Sequence, residues 1–195
     1  MEQITLLVGL GNPGSEYAQT RHNAGFWFAD ALCDAYGGRF TGNRKLRADL
    51  ADVDIAGTKL RILKPQTYMN LSGESVALAL RFFRMPAESM LVVYDEIDFE
   101  PGKLRLKFDG GHAGHNGMRN IIAHVGSQFW RMRVGVGHPG ERSKVKGHVL
   151  RRANDAEERV IMDSVARGIG AIPILLRDGP QHAQQMLHTE TPDGD

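Results

Sequence analysis

Ile4-Thr5-Leu6-Leu7-Val8-Gly9 is an apolar run of strand length, and Gly9-Leu10-Gly11-Asn12-Pro13-Gly14 follows it without a break. An apolar run without alternation predicts a strand buried on both faces, as in the middle of an α/β sheet. The glycines match G-x-G-x-x-G directly after a strand, which is the dinucleotide-binding fingerprint. Two features argue against a nicotinamide-dependent oxidoreductase. Pro13 falls where a phosphate loop needs a main-chain N–H, which proline lacks. The acidic residue expected about 20 positions further on should end a second strand, whereas Asp30 and Asp34 fall on the helix predicted after the turn. What remains is a glycine turn from strand to helix, with a polar Asn12 at the carboxyl end of a buried strand.

Outward from this point, strands and helices alternate. A helix is predicted over 25–36, closed by Gly37-Gly38. Residues 47–55 alternate, and Gly57-Thr58 turns them into a second strand over 59–63, ended by Pro65. Ser72 is expected to cap a helix running to Met85. Strands follow at 90–94, 103–108 and 129–136, with a short helix over 118–125 between the last two. Two helices, 154–170 and 177–188, are predicted to complete the chain, and the last seven residues to be frayed. The expectation is an α/β fold: one domain over 1–195, with a twisted mixed β-sheet flanked by helices.

The chain has 195 residues, 42% hydrophobic, with 24 Lys+Arg against 23 Asp+Glu and a net charge of +1. That near-neutral figure conceals an uneven distribution. Residues 100–152 hold 11 basic and three acidic side chains, a local net of +8, and five of the eight histidines. Such asymmetry suits a phosphate-rich partner, and equally a solvated basic face. Cys33 is the one cysteine, which excludes an internal disulfide framework and a Cys-cluster metal site. No apolar run reaches the roughly 18 residues a membrane span needs. The first residues lead straight into a strand without a basic-then-apolar leader, so a cytoplasmic setting is expected.

Candidate chemistry gathers at strand ends. Asp95 ends the apolar strand 90–94, and in an open α/β sheet ligands bind outside the carboxyl ends of the strands. Asn12 and Asp95 are therefore expected on one rim. His22 precedes the first helix, where a surface or capping residue would also fit. Brought between the two by the turn, it would be oriented by the carboxylate and made a general base near neutral pH. Asp95-Glu96-Ile97-Asp98 offers three carboxylates to a hard cation such as Mg²⁺, but no second acidic cluster supplies partners. His112 and His115 lack the further ligands that zinc needs, so no metal is expected. The loop 110–117 reads instead as a glycine-rich clamp. Asn12, Asn70 and Asn116 supply neutral amides suited to grip a peptide group and to place a water. No G-x-S-x-G elbow is present, which favours water attack over a covalent nucleophile. Lys103, Arg105 and Lys107 share one face of a strand. With Arg131, Arg133, Arg142, Lys144 and Lys146 they form a candidate phosphate track, best suited to a folded RNA.

Six motifs occur in order: 8–17 (Val-Gly-Leu-Gly-Asn-Pro-Gly-Ser-Glu-Tyr), 20–25 (Thr-Arg-His-Asn-Ala-Gly), 64–73 (Lys-Pro-Gln-Thr-Tyr-Met-Asn-Leu-Ser-Gly), 95–98, 114–117 (Gly-His-Asn-Gly) and 133–140 (Arg-Val-Gly-Val-Gly-His-Pro-Gly). Together they closely resemble the bacterial peptidyl-tRNA hydrolase family over residues 4–180. The resemblance implies a monomeric, cofactor-free enzyme that cleaves the ester between a peptide and the tRNA 3′ ribose, returning tRNA to translation. It implies that His22 is the catalytic base and Asp95 its orienting carboxylate. Asn12, Asn70 and Asn116 match the amides that hold substrate and water. Tyr17, Tyr68, Met69 and His115 match residues lining the cleft. Lys107 and Arg133 match a clamp on the tRNA 5′ phosphate, which Lys144 and Lys146 would extend. The partner implied is peptidyl-tRNA, through its acceptor end and nascent peptide, with no membrane. A non-hydrolytic RNA-splicing relative is the alternative, opposed by the intact Asn12, His22, Asn70, Asp95 and Asn116 set. Three positions depart from the family pattern: Tyr94, where His is frequent, and Asp109 and Ala113, where Gly is usual.

Overall fold

A computed structural model describes residues 2–189. Residues 190–195, most of the tail expected to fray, lie outside the described residues; Thr189 ends the last helix. Seven strands form one mixed sheet: β1 (Leu6–Gly9), β2 (Thr41–Asn43), β3 (Ala48–Ile55), β4 (Thr58–Pro65), β5 (Met90–Glu96), β6 (Leu104–Phe108) and β7 (Trp130–Gly135). Their order is β2-β3-β4-β1-β5-β7-β6. β1 is central, parallel to β4 on one side and β5 on the other, and β5 is parallel to β7. The remaining pairs are antiparallel. This is the expected α/β architecture with the hairpin inserted.

The sheet separates two cores. On one face, Leu7, Leu91, Val93 and Met132 pack with α1 (Ala24–Ala35) and the long α5 (Asp155–Asp178). On the other, Leu6, Val8, Val92 and Tyr94 pack with α2 (Ser72–Phe83) and α3 (Asn116–Val125). A single turn of helix, α4 (Val145–Val149), borders the carboxyl end of the sheet, and α6 (Pro180–Thr189) closes the chain against β6.

Three boundaries differ from expectation for physical reasons. Ser72 lies inside α2 rather than capping it: its hydroxyl donates to the Met69 carbonyl at 2.7 Å. Arg84 in the left-handed region ends that helix two residues early. α5 does not break near 170 but continues through Pro173 to Asp178. A proline inside a helix costs about 3 kcal/mol, while Ile172, Leu175 and Leu176 around it are buried, each contributing roughly 1.5–3 kcal/mol. Packing outweighs the local preference. Among the described residues no helix is long and apolar enough to cross a membrane.

Candidate active site

The parallel pairing of β1 with β5 brings Asn12, three residues past β1, and Asp95, near the end of β5, to one rim of the sheet. Between them the chain makes one tight helical turn over Arg21–Asn23 before α1. The first glycines permit this. A Cβ on Gly9 would stand 2.3 Å from the Gly25 carbonyl, and one on Gly25 2.4 Å from the Leu10 nitrogen. These glycines therefore let helix and strand touch, which is their use here in place of a cofactor loop.

His22 is buried at 9% exposure, and its Nδ1 meets the Asp95 carboxylate at 2.8 Å. The second oxygen of Asp95 meets His115 Nε2, also at 2.8 Å. The His115 tautomer follows from its other nitrogen. Nδ1 accepts the Met118 N–H at 3.2 Å, capping α3, so Nε2 carries the proton and donates to Asp95. Asp95 thus has both oxygens engaged. Burial alone would raise its pKa, but the charges and hydrogen bonds of His22 and His115 outweigh burial and hold the carboxyl well below its usual range. Burial likewise pulls His22 down, and the Asp95 charge and hydrogen bond more than offset it, leaving the imidazole above 6.5. With Nδ1–H given to Asp95, the Nε2 lone pair of His22 is available to the cavity that this side chain lines.

Asn12 is fixed as firmly. Its side-chain oxygen accepts the Met69 N–H at 2.7 Å, which leaves its NH₂ as a donor at the cavity wall. Asn23, which sequence reasoning left without a role, holds the Asn12 main chain from both sides. Its Oδ1 accepts the Asn12 N–H at 2.9 Å and its Nδ2 donates to the Asn12 carbonyl at 3.0 Å. Asn70 and Asn116 are exposed on the same cavity, and Asn116 Oδ1 accepts from Arg119 at 3.4 Å. Tyr17, Tyr68, Met69 and His115 also line it, with the two tyrosine rings edge to face at 6.5 Å. The cavity measures about 760 Å³ and extends under α4 to Arg142 and Lys146, large enough for an extended substrate.

The basic residues separate into groups. Lys146 lines the cavity, whereas Lys144 does not and pairs with Glu141 at 3.0 Å. Lys107 and Arg133 lie outside it, on one face of the β6–β7 pair but two residues out of register, since Lys107 opposes Arg131 and Arg133 opposes Arg105. Arg131 and Arg105 are buried, which removes both from the exposed phosphate track expected of them. Arg21 was also overlooked. Its guanidinium donates to the carbonyls of His148, Arg151 and Arg152 at 3.1–3.3 Å and pairs with Glu157 at 2.8 Å, tying the segment after α4 to the turn that carries His22.

The carboxylates of 95–98 diverge rather than converge on a cation. Glu96 accepts the Asp98 N–H and faces Arg133 at 3.8 Å, while Asp98 is exposed. The one grouping of possible metal ligands among the described residues is His22, Asp95 and His115, within 4.8 Å. Each histidine there already spends a ring nitrogen on Asp95, and His112 stands outside the group.

Known proteins resemble this chain along nearly its whole length. The family model for peptidyl-tRNA hydrolase matches residues 6–193. A peptidyl-tRNA hydrolase of Xanthomonas campestris pv. campestris (strain 8004) is 48% identical over 190 residues, 97% of this chain and 98% of the relative. One from Acinetobacter baumannii (strain AYE) is 43% identical over 192 residues, 98% of this chain and 100% of the relative. The crystal structure of peptidyl-tRNA hydrolase from Acinetobacter baumannii superposes with a TM-score of 0.94 at 43% identity, covering 96% of this chain and 95% of that one. The chain belongs to the peptidyl-tRNA hydrolase family.

Proposed function

We propose that His22 is the general base with which this chain hydrolyses the ester between a peptide and the 3′ ribose of tRNA. The observation that carries the reading is the 2.8 Å bond from His22 Nδ1 to a buried, ionised Asp95, with Nε2 free at the cavity. Nε2 takes a proton from water as the water oxygen bonds to the ester carbonyl carbon. Charge gathers on the carbonyl oxygen, and the Asn12 NH₂ is a fixed donor for it. Asn70 and Asn116 hold the peptide group and the water, limiting the geometries from which attack proceeds. The bond to the ribose oxygen then breaks, and the imidazolium returns its proton to that oxygen. The products are a peptide with a free carboxyl group, which loses its proton to solvent, and a deacylated tRNA. Asp95 stabilises the imidazolium between the two proton transfers.

Tyr17, Tyr68, Met69 and the ring face of His115 form the apolar wall for the peptide, whose amide contacts favour N-blocked over free aminoacyl esters. The tRNA acceptor end enters along Lys146. Lys107 and Arg133 meet the 5′ phosphate from the β6–β7 face, and Lys144 stands at the margin. The test is release of N-acetyl amino acid from N-acetyl-aminoacyl-tRNA by wild type and by His22→Ala. General-base catalysis contributes about 10²–10⁴-fold, so the variant should lose activity on that scale while still binding tRNA. Near-normal turnover would sink the assignment.

A further inference from the structure

We propose that Arg131 is a positioning residue, a buried anchor that fixes the loop carrying His115 and Asn116 at the height of Asp95. Arg131 is among the largest fully buried side chains of the molecule, 2% exposed. Burying a guanidinium is unfavourable unless its donors are met; both terminal NH₂ groups reach main-chain carbonyls, and Nε is buried without a partner among the described residues. One NH₂ group donates to Gly111 O at 2.6 Å, and the other to Gly110 O and, at 3.4 Å, to Ser127 O. Its face stacks on Phe129 at 4.8 Å. The planar fork suits two successive carbonyls in a way that a point charge does not.

The loop needs outside support. Asp109 and Ala113 both have positive φ, 60° and 47°, a conformation that residues with side chains disfavour. Gly111, Ala113, Gly114 and Asn116 are exposed. Tyr94 supplies a second connection. Its hydroxyl lies within the influence of the Arg131 charge, and its ring stands edge-on to His115 at 5.1 Å. Contact therefore runs from Arg131 through the 110–111 main chain to the loop that carries His115, with the Tyr94 ring packed against His115, and from there to Asp95 and His22. The competing role is simple filling of the core beneath α3.

Arg131→Lys separates the two roles, because it keeps the charge but presents a single ammonium that cannot hold both carbonyls. The anchor predicts that amide deuterium exchange over 110–117 rises about ten-fold, an opening local to this loop, while β1 and β5 stay protected. It also predicts that kcat on N-acetyl-aminoacyl-tRNA falls about ten-fold with little change in KM. Tyr94→Phe removes one hydroxyl and should show the same pattern more weakly; it decides the matter alone if Arg131→Lys fails to fold. Three results overturn the proposal: unchanged loop exchange, exchange raised evenly across the fold with activity tracking the folded fraction, or a loosened loop with full kcat. The inference rests on the hydrolytic reading above. A wild-type protein without hydrolysis would end that reading, whereas exchange in the free protein judges the anchor by itself.

Discussion

The floor of the cleft and its basic flank are built by opposite means. On the floor, Asn12, His22 and Asp95 are no more than 9% exposed, and hydrogen bonds of 2.7–2.8 Å join them to Met69, to each other and to His115. On the flank, the Lys144–Glu141 pair is more than half exposed on both sides, and Lys107 and Lys146 stand in solvent. A buried network is strengthened by its low dielectric and tolerates no lost partner. An exposed ion pair contributes only about 0–1 kcal/mol. On the proposed function, chemistry thus falls where moving one atom is costly, and recognition where each charge adds a little.

The sharpest break of this contrast is Asp95→Asn, which keeps an acceptor for His22 but removes the charge. With the carboxylate gone, burial is the main influence left on His22, and its pKa should fall. Wild-type kcat/KM should rise with pH through a midpoint above 6.5, because the base must be neutral. In the variant that acid limb should move to lower pH, and the plateau should drop about 10²–10⁴-fold. A pH–rate profile checks both, and an acid limb left in place would remove Asp95 from the account. Stability runs the other way. The raised His22 pKa contributes stability in full below 6.5, which is lost as pH rises through the folded value. The depressed Asp95 pKa contributes stability above 3.8, lost only as pH falls through its folded value.

Asn12 sharpens the same side. Asn12→Asp keeps an oxygen for the Met69 N–H but presents no donor to the cavity, so position is preserved and donation lost. We expect kcat to fall about 10²-fold, the usual effect of removing one oxyanion donor. Asn12→Ala should also destabilise by about 1–3 kcal/mol, since it leaves the Met69 N–H unmet. A kcat loss in Asn12→Ala with a wild-type melting temperature would break the argument that this amide also holds the Met69 N–H.

On the flank, Lys107→Ala with Arg133→Ala should raise KM for full-length tRNA esters about ten-fold and leave short 3′ fragments unaffected. Each lost phosphate contact should also flatten the dependence of log KM on log salt by about 0.7–0.9. Equal effects on tRNA and fragment would refute a phosphate clamp.

Much of the floor was legible in the sequence because its chemistry is local in pattern. The apolar runs ending at Gly9 and Asp95 identify two buried strands, and strand ends are where α/β sheets place ligands. Asn23, Arg21 and Arg131 were not legible. Arg21 bonds to carbonyls 127–131 positions away, and Arg131 to carbonyls 20–21 positions back, so neither leaves a spacing to read. Charge counting even misplaced Arg131: alternation put it beside Arg133 on one face, but not beneath the loop that covers that face. The continuation of α5 through Pro173 was hidden similarly, since the packing that offsets the proline is tertiary.

The smallest predicted difference lies between two lysines that the sequence treats alike. Lys144, the residue just before α4, and Lys146 within it are two apart, which in a helical turn sends them to different sides. Lys146 reaches the cavity wall, while Lys144 spends its ammonium on Glu141 at the rim. Lys146→Ala should raise KM for tRNA esters a few-fold, by roughly 1 kcal/mol or less. Lys144→Ala should stay within two-fold, because the charge it removes is already partly neutralised. Glu141→Gln then decides whether that neutralisation is the cause. By freeing Lys144 it should lower KM slightly, and more so at low salt, where exposed charges act over longer distances. If Glu141→Gln instead leaves KM unchanged at every salt concentration, Lys144 is remote from the tRNA path, and the flank narrows to the side of α4 that faces His22.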